Sequence, residues 1–131
     1  ERAIGGSRID LQDVDYINAH GTSTPLGDAA EVHAVKKLFG SHAQNLAMSS
    51  TKSMTGHMLG AAGGIETLAV ALSLKHGVML PTINCDNPDD GFDLNFVANE
   101  VQEKPIRYGL NNSFGFGGHN VSLVMGRYDG D

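Results

Sequence analysis

Two histidines each stand beside a glycine, in His20-Gly21 and Gly56-His57, and a lysine, Lys52, closely precedes the second of them. Each histidine follows a predicted strand. In open α/β sheets the loops that leave the carboxyl ends of the strands converge on one edge, and ligands bind there. A lone histidine reads as a structural residue, but a matched pair at one edge is a candidate site. His57 stands just before an apolar helix, where the positive end of the helix dipole and nearby Lys52 both favour a neutral imidazole. Such a ring can donate a hydrogen bond to an oxyanion as it develops. Lysines are ordinarily solvated; if Lys52 is buried it needs a counter-charge, and Glu31 is the candidate.

Other groups are weaker candidates. Ser50, Thr51 and Ser53 flank Lys52 as in a phosphate cradle, yet the GxxxxGK[ST] spacing is absent and the lysine precedes the glycines, which argues against a nucleotide site. Cys85 is the single cysteine, so it has no internal disulfide partner, and adjacent Asp86 raises rather than lowers a thiol pKa, a poor setting for a nucleophile. No CxxC pair or His-x3-His spacing offers a metal site. His33 lies on the charged helix, His42 follows its C-terminus and His76 ends the apolar helix, all ordinary structural readings.

The elements that must position the pair follow from periodicity. Val14 to Asn18 alternates apolar and polar residues and is β-favouring, a strand ending at His20-Gly21. After the polar loop Thr22-Ser23-Thr24-Pro25, Gly27-Asp28 opens a helix whose Val32, Val35, Leu38 and Phe39 share one face and which Gly40 stops. Asp28 and Glu31 have capping-box spacing. Leu46 to Ser49 is a short strand, and a helix begins near Met58. From Leu59 to Leu74 almost every residue is apolar or small, so this helix reads as buried, with Gly77 as its C-cap. Val78 to Asn84 is extended, and Cys85 to Phe96 is a turn-rich loop. Residues 106–110 and 121–125 alternate as two strands, joined by a connector, Asn111 to Asn120, that is too long and glycine-rich for a minimal hairpin turn.

The chain has 131 residues, 40% hydrophobic and 18% charged, which suits one globular domain, and its mixture of strands and helices reads as the α/β class. Its net charge of −6 argues against nucleic acid as a partner. No apolar run reaches the roughly 18 residues of a membrane span, and the first residues lack a signal-peptide layout. One cysteine fits a reducing compartment, so a cytoplasmic location is expected, with an organelle left open because the chain begins at Glu1 rather than Met and its natural start is expected upstream.

Three segments, NAHGTSTPLGDAAE (Asn18 to Glu31), SSTKSMTGHMLGAAGG (Ser49 to Gly64) and NNSFGFGGHN (Asn111 to Asn120), closely resemble the C-terminal half of the β-ketoacyl-acyl carrier protein synthases. The HGTST and STKSMTGH wordings resemble the type II elongating enzymes of fatty-acid synthesis more than polyketide ketosynthases, which usually read HGTGT. The resemblance implies a thiolase-like fold, a mixed β-sheet with a buried apolar helix, of which residues 1–131 are only the C-terminal half. It implies that His20 and His57 hold the malonyl thioester carbonyl during decarboxylation, that Lys52 supports them and pairs with Glu31, and that Phe116 gates the acyl channel while its backbone N–H forms half of an oxyanion hole, with Phe114 lining that loop. Thr22 and Thr24 match the threonines that bind the phosphopantetheine arm of acyl carrier protein. No metal or other cofactor is implied. The implied partners are acyl carrier protein, the N-terminal half of the synthase and, for the complete enzyme, a second copy. The nucleophilic cysteine of the family lies in that N-terminal half, so this chain alone is expected to condense nothing. Rival readings are a non-catalytic domain that binds carrier protein or dimerises, a polyketide ketosynthase fragment, and a free-standing esterase or decarboxylase using the histidine pair.

Overall fold

The computed structural model describes residues 1–130. In chain order the elements are α1 (Arg2–Gly5), β1 (Val14–Asn18), α2 (Pro25–Phe39), β2 (Ala47–Ser49), α3 (Lys52–Thr55), α4 (Ala62–His76), β3 (Val78–Met79), β4 (Gln102–Glu103), β5 (Tyr108–Gly115) and β6 (His119–Gly126). The main sheet has the order β2-β1-β5-β6; β1 runs parallel to both β2 and β5, and β6 is antiparallel to β5. β3 and β4 form a separate antiparallel pair.

Alternation along β1 divides the core in two. Ile17 and Ala19 pack with Val32, Val35 and Phe39 of α2 and with Leu110 of β5. Tyr16, on the opposite face, packs with Val70 and Leu74 of α4 and with Met79, Val97 and Ile106. A strand's period of two sends neighbours to opposite faces, so a half-buried pattern becomes a sheet covered on both sides. The two helices do not approach the sheet equally. A Cβ on Gly109 of β5 would lie 2.8 Å from Val70 Cγ1, so α4 packs tightly there because that position carries no side chain.

Glycines end the helices as the sequence indicates. Gly40 (φ 55°) donates its N–H to Lys36 O, and Gly77 adopts the left-handed conformation (φ 68°, ψ 33°) and donates to Ser73 O.

Four expectations need correction. The capping box at Asp28 and Glu31 does not form: α2 begins earlier, with Thr24 at the N-cap and Pro25 at the first helical position, and Glu31 turns away to other donors. The segment Asn111 to Asn120 is not a long connector. Strand pairing continues to Gly115 opposite His119, leaving only Phe116, Gly117 and Gly118 as the turn, with both glycines at φ 82°. Asn111 and Asn112 mislead because they are buried ladder positions rather than loop. The apolar helix begins later than expected, after a 3-10 turn at Leu59–Ala61, and it is not buried all round. Val70 and Leu74 are covered, whereas Leu68 is 55% and Leu72 48% exposed. Finally, residues 78–84 carry only the two-residue strand β3; Thr82 adds a single bridge to Ala98. Among the described residues, none of the helices is long and apolar enough to cross a membrane.

Candidate active site

His20 leaves the carboxyl end of β1 on a backbone held from two sides. Glu31, in the second turn of α2 and buried, accepts the His20 N–H on Oε1 and the Gly21 N–H on Oε2, both at 3.0 Å. Gly21 (φ 33°) passes so close to Ser50 that a Cβ would fall 2.6 Å from the Ser50 Cβ, and Ser50 Oγ donates to Gly21 O at 2.6 Å. Two chain segments therefore fix the loop that carries the imidazole.

His57 arrives from the other side. β2 leads into the single turn α3, Gly56 (φ 73°) reverses the chain, and the His57 Nδ1 accepts the Leu59 N–H at 3.0 Å. A ring nitrogen that accepts carries no proton, so the Nε2 of a neutral His57 is the donor. The His20 and His57 rings meet edge to face, with centroids 5.6 Å apart, and Phe114 of β5 lies against His20 at 5.3 Å. Burial lowers the His20 pKa below the ordinary imidazole value, and the neighbouring Lys52 charge lowers it further, which favours the neutral ring. Its Nδ1 is buried without a hydrogen-bond partner among the described residues.

Lys52 is buried, as the need for a counter-charge anticipates, but the partner is different. Its ammonium pairs with Glu66 of α4, and the two side chains are 4% and 2% exposed. The expected Lys52–Glu31 pair does not form, because both Glu31 oxygens are occupied by N–H donors: His20 and Asn112 on Oε1, Gly21 on Oε2. Glu66 escaped the sequence reading because it lies within a helix treated as uniformly apolar. A signal was present: it is the lone charged residue between Lys52 and Lys75, and a buried acid calls for a buried base.

A cleft of about 550 Å³ opens beside the pair, with Thr22, Glu31, Lys52, His57, Thr82 and Cys85 among its lining residues. The Thr22 and Thr24 hydroxyls are 3.2 Å apart on the loop before α2. Nearby Asp28 has its carboxyl pKa raised by burial, against the lowering effect of the Ser23, Thr22 and Thr24 N–H groups; no bond closes on its Oδ1. Burial and then the Asp86 charge push the Cys85 thiol pKa up, so it is a poor nucleophile, as its sequence neighbours indicate. Phe116 stands apart from these groups at the tip of the β5–β6 hairpin, fully exposed. The arrangement thus gathers His20, His57, Lys52 and Phe114, holds them through Glu31 and Glu66, and leaves Phe116 free. Two imidazole N–H groups beside a buried ion pair can stabilise negative charge that builds on a carbonyl oxygen.

Known proteins resemble this chain in sequence and in fold. Residues 1–86 match the family model for the β-ketoacyl synthase C-terminal domain. The chain is 60% identical over 114 residues to the 3-oxoacyl-[acyl-carrier-protein] synthase 2 of Coxiella burnetii, covering 87% of this chain and 28% of that protein. It is 51% identical over 129 residues to the synthase 2 of Staphylococcus aureus, covering 98% and 31%. The chain therefore spans less than a third of the length of these relatives. Among solved structures, a type II polyketide ketosynthase bound to the hexaketide and in complex with its acyl-carrier protein superposes with a TM-score of 0.94 at 38% identity, over 98% of this chain and 31% of that one. A β-ketoacyl synthase from Burkholderia phymatum gives 0.88 at 35% identity, over 96% and 30%. These neighbours share the thiolase-like α/β fold expected from the motifs. By sequence and fold alike, the chain belongs to the β-ketoacyl synthase family, as its C-terminal domain.

Proposed function

We propose that this chain supplies the histidine pair of a 3-oxoacyl-acyl-carrier-protein synthase of the fatty-acid-elongating type. In this reading His20 and His57 donate hydrogen bonds to the thioester carbonyl of a malonyl group carried on the phosphopantetheine of acyl carrier protein. The bond to the carboxylate breaks, CO2 leaves, and the electron pair is held as an enolate against the two N–H groups. The enolate carbon then attacks an acyl thioester on a cysteine of the amino-terminal portion, forming the new C–C bond and releasing the thiolate. The Phe116 N–H contributes half of the oxyanion hole for that second step, and its exposed ring closes on the acyl channel. Thr22 and Thr24 hold the pantetheine arm. Lys52, paired with Glu66, biases His20 toward its neutral form.

One observation carries the proposal: the edge-to-face pair at 5.6 Å, in which His57 is oriented by the Leu59 N–H and the His20 pKa is depressed. The solved relative complexed with its acyl-carrier protein supports the same class of partner. The curated relatives, at 51% and 60% identity, favour the fatty-acid reading over the polyketide one, whose structural representative stands at 38%. The exposed apolar side of α4 fits coverage by the amino-terminal portion.

The test is to combine the chain with a separately made amino-terminal portion and assay condensation of acyl and malonyl carrier-protein thioesters. Activity is expected from the assembled pair and is lost by about a hundredfold or more in His20→Ala or His57→Ala. No turnover from a demonstrably assembled pair overturns the proposal. Carrier-protein binding that is untouched by either substitution, without turnover, favours a binding domain.

A further inference from the structure

Glu31 accepts a third hydrogen bond that the histidine loop does not supply. Asn112 Nδ2 lies 3.0 Å from Glu31 Oε1. Carboxylate oxygens facing N–H donors only accept, so the amide nitrogen must point at Glu31 and the amide oxygen must point away. Asn112 Oδ1 then faces β6, where Ser122 Oγ donates to it at 2.7 Å. The antiparallel register sets Ser122 directly opposite Asn112, so the hydroxyl is delivered by strand pairing rather than by chance rotation. Asn112 is only 8% exposed. It shares a face of β5 with Phe114, two residues on, whose ring lies against His20.

We propose that Asn112, oriented by Ser122, is a positioning residue for His20. The chain Ser122–Asn112–Glu31 runs from the edge strand to the backbone N–H groups of His20 and Gly21, so one hydrogen-bonded line sets the loop relative to the strand that carries Phe114. The catalytic consequence rests on the synthase reading above; the positional one does not. If Asn112 merely satisfied a buried carboxylate, its loss would lower stability throughout the molecule without singling out this loop.

Amide hydrogen exchange and turnover test this on the chain assembled with the amino-terminal portion. Asn112→Leu removes the amide at similar volume, Ser122→Ala removes only the orienting hydroxyl, and Ser122→Thr retains it. Exchange at the His20 and Gly21 amides is expected to rise about tenfold or more in the first two, with the Met48 and Gly77 amides, hydrogen-bonded elsewhere in the fold, unchanged. Malonyl-thioester decarboxylation is expected to lose about tenfold in kcat with KM within about twofold, and Ser122→Thr to restore both readouts. Unchanged exchange at His20 and Gly21, or an equal rise at Met48 and Gly77, overturns the proposal. Should Asn112→Leu fail to fold, the Ser122 pair, at the sheet edge, decides the question. An inactive parent assembly sinks the synthase reading alone, because the exchange comparison still judges the relay.

Discussion

Glu66→Gln is the substitution that most directly tests how the site is built. Glutamine has nearly the shape of glutamate, so packing around α4 is kept while the Lys52 ammonium loses its counter-charge. The two side chains are 4% and 2% exposed, which leaves little room for water to replace the lost partner. Removing one member of a buried ion pair costs about 3–5 kcal/mol. That is a large share of the roughly 5–15 kcal/mol of a whole domain. With urea slopes of about 1–3 kcal/mol per molar, the unfolding midpoint should fall by roughly 1–5 M. Lys52→Met combined with Glu66→Leu removes both charges at similar volume and should recover most of the loss, since a well-packed apolar replacement of a buried pair is often neutral. The assay is urea unfolding of the parent and Glu66→Gln, with Lys52→Met, Glu66→Leu and the double variant forming a mutant cycle. A Glu66→Gln midpoint within about 0.3 M of the parent would refute the reasoning that burial makes this pair obligatory. The double variant also separates roles: folded but inactive in the assembled synthase, it would show that the Lys52 charge serves chemistry beyond stability.

The depressed His20 pKa predicts a pH dependence of defined sign. The unfolded imidazole takes up its proton as pH falls through about 6.5, whereas the folded one resists to a lower pH, so the unfolded state binds more protons in that window. Stability present above about pH 6.5 is lost as pH falls toward the folded value, and urea midpoints across this range should drop more for the parent than for His20→Gln; equal slopes refute it. Gly21→Ala places a Cβ 2.6 Å from Ser50 Cβ at a positive φ, so a loss of roughly 1–3 kcal/mol and a displaced His20 resonance are expected in unfolding and NMR measurements. With Leu68 and Leu72 about half exposed, the isolated chain should self-associate in sedimentation velocity, and Leu68→Glu with Leu72→Glu should reduce this and block pairing with the amino-terminal portion. A parent that stays monomeric at high concentration would contradict that.

Much of the architecture was legible in short-range pattern. The alternation of Val14 to Asn18, the apolar face of residues 32–39 and the terminal glycines at 40 and 77 are local signals, and local backbone preference acts on them directly. The hairpin failed for an equally physical reason. Asn111, Asn112 and Ser113 read as loop because they are polar, yet each occupies a ladder position, and Asn111 spends its amide on Gly63 O and Thr67 Oγ1 of α4. Burial with partners makes polar strand residues permissible, and those partners are distant in sequence.

The sequence by itself determined that two histidines leave strand ends beside glycines, that a lysine accompanies them, and that the motifs are those of a ketosynthase C-terminal half. Only the tertiary structure decided which acid serves which base. Glu66 reads as one break in an apolar helix although it lies only 14 residues from Lys52, so Glu31, the glutamate the resemblance implies, stood as the expected partner. Folding instead spends Glu31 on three N–H donors and sends Lys52 to Glu66, because a buried charge needs a partner and the packed helices and sheet bring those donors within reach.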